Sequence, residues 1–168
     1  MGSCCTKPDE IHGDKHGDKH GDKHGDKNTP LFTLKGAKIK AKVVYVYDGD
    51  TIQIVFPMYT LTGEKVERRW KCRLSGIDTP KIKTKNKEEK KRAIAIRDIL
   101  HAKLFGKTVW VYCDGFDKYG RLLITVYTVG MGKDWVHNGK WCGTVNYWML
   151  EKGYAYAYHG GKKQSWNT

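Results

Sequence analysis

Apolar and polar residues alternate along three segments in the first half of the chain. Residues 38–47 begin with lysines at every other position, residues 52–56 carry apolar side chains at every other position, and residues 69–74 alternate basic with apolar side chains. A period of two is typical of β-strands that bury one face. The segment Asp-Gly-Asp at 48–50 is a turn signal between the first two strands. The pattern predicts three consecutive strands, with basic residues on the outer faces of the first and third.

A helical spacing of apolar residues follows the third strand. Between residues 93 and 104 these residues recur three or four positions apart, which is the period of an amphipathic helix. Asn86 and Glu89 resemble a capping box at its start, and Gly106 stands where a C-terminal cap is expected. The sequence therefore predicts a helix from about Asn86 to just before Gly106.

The remaining elements follow the same logic. Two more strands are predicted at 108–113 and 121–129, and a short helix at 145–152 that ends at Gly153. Three strands, a helix, two strands and a helix suit an α+β fold, a five-stranded OB-fold-like β-barrel with about two packed helices.

Composition divides the chain near residue 30. Residues 12–27 are the tetrapeptide His-Gly-Asp-Lys written four times, which has no apolar side to bury and predicts a disordered tail. We therefore expect a tail at 1–30 and one folded domain at 31–168. The chain has a net charge of +13, and the tail up to Lys27 holds five lysines and six acids, so the folded part is the basic one. An excess of this size predicts a polyanionic partner, either nucleic acid or an anionic membrane surface.

The sequence also limits the compartment. It holds no apolar run long enough to cross a bilayer and no apolar region of a signal peptide after Met1. Five cysteines without an export signal favour a reducing compartment with no disulfide framework.

Three clusters carry candidate chemistry: Asp-Gly-Asp-Thr at 48–51, Arg73 with Asp-Thr-Pro at 78–80, and Asp-Lys-Tyr-Gly-Arg at 117–121. Each alone also fits a plain turn or a strand exit. Together, Asp50 and Asp78 offer hard oxygen ligands to Ca²⁺, and the backbone carbonyl of Thr79 and water would complete the coordination shell. Arg73 and Arg121 offer forked donors that match phosphate oxygens.

The order and spacing of these three motifs resemble the staphylococcal nuclease (thermonuclease) family, over roughly residues 35–158. The resemblance implies an OB-like barrel in which Asp50, Asp78 and the carbonyl of Thr79 bind calcium. It implies that Arg73 and Arg121 bind the scissile phosphate.

The same resemblance defines the substrate and the partners. Family members cut single-stranded or frayed DNA and RNA to 3′-phosphate products, so nucleic acid is the expected partner, with Lys118 and Tyr119 near the nucleotide. No obligate protein partner is inferred. Tyr156 and Tyr158 are candidates for stacking on bases, although packing in the fold explains them equally well.

One position departs from the family pattern. Active members usually place Glu directly after Asp-Thr-Pro, where it positions or deprotonates the attacking water, and this chain has Lys81 there. A protonated lysine accepts no proton and repels a nearby calcium ion. Two interpretations follow: a slow calcium-dependent nuclease, or a catalytically inactive nuclease-like domain that binds nucleic acid. Glu88 or Glu89 as a substitute base lies at a helix start, which is a poor place from which to reach back.

The N-terminal residues predict a membrane anchor. Gly2 after removal of Met1, with Thr at the sixth position, matches the N-myristoylation pattern, and Cys4 and Cys5 are candidate palmitoylation sites. One myristoyl chain binds a membrane only marginally, so a second acyl chain would make the anchor stable. The expected location is the cytoplasmic face of a membrane.

Two alternatives remain open at the level of sequence. The His-Gly-Asp-Lys repeats serve as a flexible spacer or as a weak Zn²⁺ or Ni²⁺ site. The domain itself is a nuclease, a nucleic-acid binder, or a membrane-surface adaptor whose basic face binds lipid phosphates.

Overall fold

The structure is a computed structural model that describes residues 26–130, 135–161 and 163–166. The chain divides into two units, Met1–Phe32 and Thr33–Thr168. In the first unit the backbone N–H of Thr29 donates to the carbonyl of Asp26 at 3.0 Å, which closes a turn. The predicted acylation sites Gly2, Cys4 and Cys5 lie outside the described residues, as do the histidines of the repeats. All that follows concerns the second unit.

In the described part of the second unit, strands dominate and are joined by one long and one short helix. In chain order the elements are β1 (Lys38–Val46), β2 (Thr51–Tyr59), β3 (Lys65–Leu74), β4 (Ile77–Asp78), α1 (Lys87–Leu104), β5 (Thr108–Phe116), β6 (Leu122–Tyr127), β7 (Val136–His137), β8 (Lys140–Trp141), α2 (Val145–Glu151) and β9 (Tyr156–Ala157).

Five of these strands close into a barrel in the order β1-β2-β3-β6-β5. Neighbours pair antiparallel, except that β3 and β6 run parallel and close the barrel. A bulge between Val43 and Tyr45 and another between Cys113 and Gly115 interrupt the register, and bulges of this kind bend strands in small barrels. The predicted fold class, an OB-like five-stranded barrel with two helices, is confirmed.

The core follows the period-two pattern of the sequence. Side chains at alternate positions of the barrel strands are buried, as Ala41 and Val43 are on β1 and Ile52 and Ile54 are on β2, whereas on β3 only Cys72 and Leu74 are. Lysines fill the alternate exposed positions of the first half of β1. Burying each large aliphatic side chain stabilises the fold by about 1.5–3 kcal/mol, so this alternation fixes which face of each strand points inward.

Helix α1 covers the barrel with a stripe of buried residues at the spacing the sequence predicts, namely Ala93, Ile96, Leu100 and Leu104. Its N-cap is Asn86, whose side-chain oxygen accepts from the backbone N–H groups of Glu88 and Glu89 at 2.9 and 3.1 Å. Gly106 follows its C-terminus with φ of 76°, a conformation that glycine adopts without strain. The predicted bounds of this helix are confirmed.

Two short pairings were not predicted. β4 pairs with β9, and β7 pairs with β8, because two-residue strands carry no readable periodicity. The buried side chain of Asn146 on α2 donates to the carbonyls of Ser75 and Ile124 and accepts from the N–H of Val126. These contacts hold α2 against β6 and against the segment that follows β3.

The cysteines of the described part, Cys72, Cys113 and Cys142, are buried and free. Burial raises the pKa of the Cys72 and Cys113 thiols, so both stay protonated and act as small apolar groups. None of the helices in the described part has the length and apolar character that crossing a bilayer requires.

Candidate active site

The turn between β1 and β2 positions the first candidate ligand. The carboxylate of Asp48 accepts from the backbone N–H of Asp50 at 3.1 Å, and the hydroxyl of Thr51 donates to Oδ1 of Asp50 at 2.8 Å. The carbonyl of Asp50 accepts from the N–H of Leu74 at the end of β3. Short local hydrogen bonds and one strand contact therefore hold the Asp50 side chain in a single orientation.

Gly49 lets α1 approach this turn closely. A Cβ atom at this position would lie 2.9 Å from Cγ2 of Ile96 and 3.0 Å from Cβ of Thr79. Contacts this short require the neighbours to move. Glycine in the Asp-Gly-Asp motif is thus a packing requirement, which brings the motif at 48–51 against the motif at 78–80.

Asp50 and Asp78 converge on one guanidinium group. Nη1 of Arg73 lies 2.6 Å from Oδ2 of Asp50, and Nη2 lies 3.1 Å from Oδ1 of Asp78. All three side chains are largely buried, with 5% of each carboxylate side chain exposed. Burial works to lower the pKa of Arg73, but the charges of the two carboxylates outweigh it and raise that pKa. The arginine is therefore permanently charged between its two acids.

Asp48 adds a third carboxyl group to the same region. Burial, together with repulsion by Asp50, raises the pKa of Asp48 to about 6. Asp48 is therefore protonated more readily than an ordinary aspartate, because its charged form is buried beside another carboxylate.

The third motif forms a tight turn between β5 and β6. Oδ1 of Asp117 accepts from the backbone N–H groups of Tyr119 and Arg121, while Oδ2 receives Nε and Nη2 of Arg121 at 2.7 and 2.6 Å. The ring of Tyr119 is 72% exposed and lies near the charges of Lys118 and Arg121, 5.1 and 5.6 Å from its centroid. Asp117 thus fixes the orientation of the Arg121 guanidinium, and the exposed ring of Tyr119 lies beside it.

Residues from the end of the chain complete the site. β9 pairs with β4, which places Tyr158 close to Arg73, 5.9 Å from ring centroid to guanidinium carbon. Lys163 contacts Oδ1 of Asp78 and lies 5.3 Å from the centroid of the Tyr158 ring. Tyr156 instead stacks on Trp166 at 4.0 Å. Of the two tyrosines considered for stacking on bases, Tyr158 faces the site and Tyr156 packs in the fold.

One cleft of about 900 Å³ unites these groups. Eight residues to which the sequence assigns a role in catalysis or in metal, phosphate or nucleotide binding line it: Asp50, Arg73, Asp78, Thr79, Lys81, Lys118, Tyr119 and Arg121. Of the two tyrosines, Tyr158 lines the cleft and Tyr156 does not. Among the lining residues to which sequence reasoning gave no role are Tyr47, Asp48, His159 and Lys163. Only the Asp-Gly-Asp motif pointed to Asp48, and nothing in the local sequence pointed to the other three.

Lys81 lines the cleft, whereas Glu89 does not. Oε1 of Glu89 accepts from the backbone N–H of Lys81 at 3.0 Å, and Oε2 accepts from the hydroxyl of Thr84 at 2.8 Å. Both oxygens of this acid are therefore engaged in holding the loop that leads from β4 to α1. Glu89 is a structural partner of Lys81 here and not a replacement for the family's glutamate.

The oxygen ligands that this cleft offers meet the requirements of calcium in part. Ca²⁺ takes six to eight oxygen ligands, mostly carboxylates, carbonyls and water. Asp50 and Asp78 are buried carboxylates that already converge on cations, the guanidinium of Arg73 and, for Asp78, the ammonium of Lys163. In the part of the chain that the structure describes, no three His, Cys, Asp or Glu side chains gather into a metal site. Carboxylates alone would therefore fill only part of a calcium shell.

A closed OB-like barrel with acidic and arginine side chains in a cleft at one end is a fold suited to phosphate chemistry. The sequence model of the family described as Staphylococcal nuclease homologue matches residues 71–167, more than half of the chain. The chain therefore belongs to the staphylococcal nuclease homologue family. A search among curated proteins finds no match. The matched region contains the second and third motifs, and the motif at 48–51 precedes it.

Proposed function

We propose that this protein is a calcium-dependent nuclease that hydrolyses phosphodiester bonds in single-stranded or frayed DNA and RNA. The observation that carries the proposal is the cleft that Asp50, Asp78, Arg73 and Arg121 line together, although they come from three separate segments of the chain. Family membership supports the reaction class, and the basic folded part supports a polyanionic substrate.

The residues divide the chemistry among them. Calcium held by Asp50, Asp78 and the carbonyl of Thr79 would polarise the phosphate and a water molecule. Arg73 and Arg121 would donate to the phosphate oxygens and stabilise the negative charge that grows as water attacks phosphorus.

Neighbouring residues support the arginines and the substrate. Asp117 holds Arg121 through two hydrogen bonds from its guanidinium, which keeps the donor in place before substrate arrives. Lys118 and Tyr119 lie on the same turn and would contact the nucleotide next to the scissile phosphate.

Lys81 makes the proposed reaction slow. It lines the cleft and in sequence stands directly after Asp-Thr-Pro, where the family resemblance implies a glutamate that accepts a proton from water. A lysine cannot do so while protonated. General-base catalysis contributes about 10²–10⁴-fold to a rate, so we expect activity below that of family members with glutamate.

Cleavage of denatured DNA and of RNA tests the proposal directly. The full chain is incubated with each substrate in calcium and in excess chelator. We expect cutting in calcium, none in chelator, and loss of cutting in Arg73→Ala. Cutting that persists in chelator would remove calcium from the mechanism, and cutting that persists in Arg73→Ala would point to a contaminating nuclease.

A second candidate function is a catalytically inactive domain that binds nucleic acid. The observation that favours it is the pair of lysines, Lys81 on the cleft and Lys163 on Asp78, which oppose both the proton transfer and the metal. Binding of denatured DNA by wild type, without any cutting in calcium, would establish this alternative.

We propose further that the domain is held at the cytoplasmic face of a membrane by acyl chains on Gly2, Cys4 and Cys5. The N-terminal sequence motif is the support for this proposal. Flotation with anionic liposomes tests it, after expression in cells that acylate proteins. Gly2→Ala should abolish flotation, whereas undiminished flotation would assign membrane binding to the basic domain instead.

A further inference from the structure

The outer face of β1, β2 and β3 extends away from the cleft, and its side chains form three rows that run across the strands. Directly opposed residues on adjacent strands point to the same face of a sheet, so each row is read from the register of the pairs β1·β2 and β2·β3. From the cleft outward, the rows are Tyr47, Thr51 and Arg73; Tyr45, Gln53 and Lys71; and Lys42, Val55 and Arg69. The first row lines the cleft itself, so the face and the candidate active site are continuous.

The β3 side of this face carries positive charge at regular intervals. Arg73, Lys71 and Arg69 are two residues apart, which is about 6.6–6.8 Å along a strand. Lys71 and Arg69 are exposed, and in the described ranges no carboxylate forms an ion pair with either. Glu67, the next outward-facing residue on β3, ends the series. Arg73 is paired with Asp50 and Asp78, so Lys71 and Arg69 are the two cations of this series without an acidic partner in the described ranges. Two such cations in line with the arginine proposed to bind the scissile phosphate are suited to follow a phosphate backbone.

The β1 side of the same face carries aromatic rings. Tyr47 is 41% exposed and Tyr45 is 49% exposed, in the first and second rows. Exposed aromatic rings beside a basic groove are the platforms on which bases of single strands stack. The tyrosines and the basic residues are separated by one strand, which is about 9–10 Å between backbones. A nucleotide spans this width with its phosphate toward β3 and its base toward β1.

We infer that this face is a binding subsite for the nucleic-acid strand that leaves the cleft, with Lys71 and Arg69 on successive phosphates and Tyr45 under a base. The inference rests on the proposed function and specifies its substrate: a single strand several nucleotides long, with unstacked bases. An anionic membrane would also attract Lys71 and Arg69. The two rows nearest the cleft favour a strand, because their basic residues lie on β3 and their tyrosines on β1. The third row is basic on both edges, with Lys42 on β1 and Arg69 on β3.

Binding of oligonucleotides of different length tests the subsite in the full chain. Fluorescence anisotropy in chelator, where the substrate stays intact, gives the Kd for single-stranded DNA and RNA of about 12 nucleotides. In Arg69→Ala/Lys71→Ala we expect affinity to fall at least tenfold. The slope of log K against log salt should become shallower by about 1.4, because each phosphate contact on a single strand contributes about 0.7.

Lys65→Ala is the matched control for Lys71→Ala. Lys65 lies on the same strand and the same face, is also exposed, and stands beyond Glu67. We expect Lys71→Ala to weaken binding severalfold and Lys65→Ala to change it less than twofold. Equal losses in the two single variants would show that net charge alone matters, which would overturn the subsite.

Tyr45 provides a second, charge-free test. Tyr45→Ala should weaken binding of the long oligonucleotide about tenfold, since stacking on one aromatic ring contributes roughly that much. Tyr45→Phe keeps the ring and should bind as wild type does. If Tyr45→Phe loses as much affinity as Tyr45→Ala, the ring does not stack on a base and the assignment of Tyr45 is wrong.

Cleavage of a dinucleoside monophosphate in calcium separates this inference from the proposed function, because its single phosphate is the scissile one and leaves none for Lys71 and Arg69. If the protein cleaves the dinucleoside monophosphate and the variants bind the long strand as wild type does, the proposed nuclease function stands and the subsite is wrong. If the protein cleaves no substrate and the variants lose affinity for the long strand, the subsite stands and the proposed nuclease function is wrong. Variants that lose only flotation with anionic liposomes would assign the face to lipid and overturn the inference.

Discussion

Lys163 places its ammonium group on Oδ1 of Asp78, so a cation from the end of the chain lies on one of the two buried carboxylates of the cleft. The two residues are 85 positions apart. The ring of Tyr158 lies beside the same ammonium group, 5.3 Å from its centroid. In the proposed calcium site, this lysine therefore competes with the metal ion for the carboxylate of Asp78.

Removing this lysine should strengthen calcium binding. We expect the Kd for calcium to fall about fivefold to tenfold in Lys163→Gln, a modest change because the lysine side chain is 35% exposed and its ion pair is partly screened by solvent. Isothermal titration of the full chain with calcium measures it. Lys152→Gln, which changes an exposed lysine away from the cleft, should leave the Kd unchanged, and an unchanged Kd in Lys163→Gln would show that the contact does not compete with the metal.

A carboxylate at position 81 should accelerate cleavage. The backbone N–H of Lys81 is held by Glu89 at 3.0 Å, and this contact survives a change of the side chain. In Lys81→Glu we expect the cleavage rate for denatured DNA to rise about 10²-fold or more, the usual contribution of a positioned general base. Initial rates in calcium measure the effect.

The neutral variant Lys81→Gln separates the two effects of this substitution. It removes the positive charge beside the carboxylates but accepts no proton, so we expect only a small gain in rate. Equal rates in Lys81→Gln and Lys81→Glu would mean that repulsion, and not the missing base, limits the reaction.

The Asp117–Arg121 contact should make stability depend on pH in the acid range. Burial raises the pKa of Asp117, but hydrogen bonds from Arg121 and from the backbone of Tyr119 outweigh it, so that its pKa lies below the ordinary value of 3.8. A lowered pKa in the folded state stabilises the fold fully above the unfolded value and loses that effect as pH falls through the folded value. We expect Asp117→Asn to lower the free energy of unfolding at neutral pH by about 1–2 kcal/mol.

Urea unfolding at several pH values measures this difference. The gap between wild type and Asp117→Asn should stay constant near neutrality and shrink below a pH of about 4. The control is Asp98→Asn, which removes an acid with 60% of its side chain exposed and should change stability by less than about 0.5 kcal/mol. If the difference in stability between wild type and Asp117→Asn stays undiminished in strong acid, the contact of Asp117 with Arg121 does not depend on the charge of the carboxylate.

Gly49 should tolerate no side chain without loss of stability. Because a Cβ there would meet Ile96 and Thr79 at 2.9–3.0 Å, we expect Gly49→Ala to lower the free energy of unfolding by about 1–3 kcal/mol. Ile96→Ala removes the nearer obstacle, so Gly49→Ala should cost less in that background. Additive losses in the double variant, measured by urea unfolding, would show that the two residues do not meet.

The barrel strands, the long helix and the chemical motifs could be predicted from sequence because their signals are local. Alternation at 38–43 and 69–74 marks strands, the spacing between Ala93 and Leu104 marks α1, and short motifs place Asp50, Arg73, Asp78 and Arg121 beside turns. Burial of one face per strand or helix is decided by neighbours two to four residues away, and such neighbours are visible in the sequence.

Only the tertiary structure decided which distant segments share the cleft. The parallel closure of β3 on β6 and the pairing of β4 with β9 bring Tyr158, His159 and Lys163 to Asp78. The same folding engages both oxygens of Glu89 with Lys81 and Thr84, away from the cleft. These contacts depend on barrel closure and on two-residue strands, which have no hydrophobic periodicity. Local sequence patterns therefore do not indicate which lysine or arginine will contact which carboxylate.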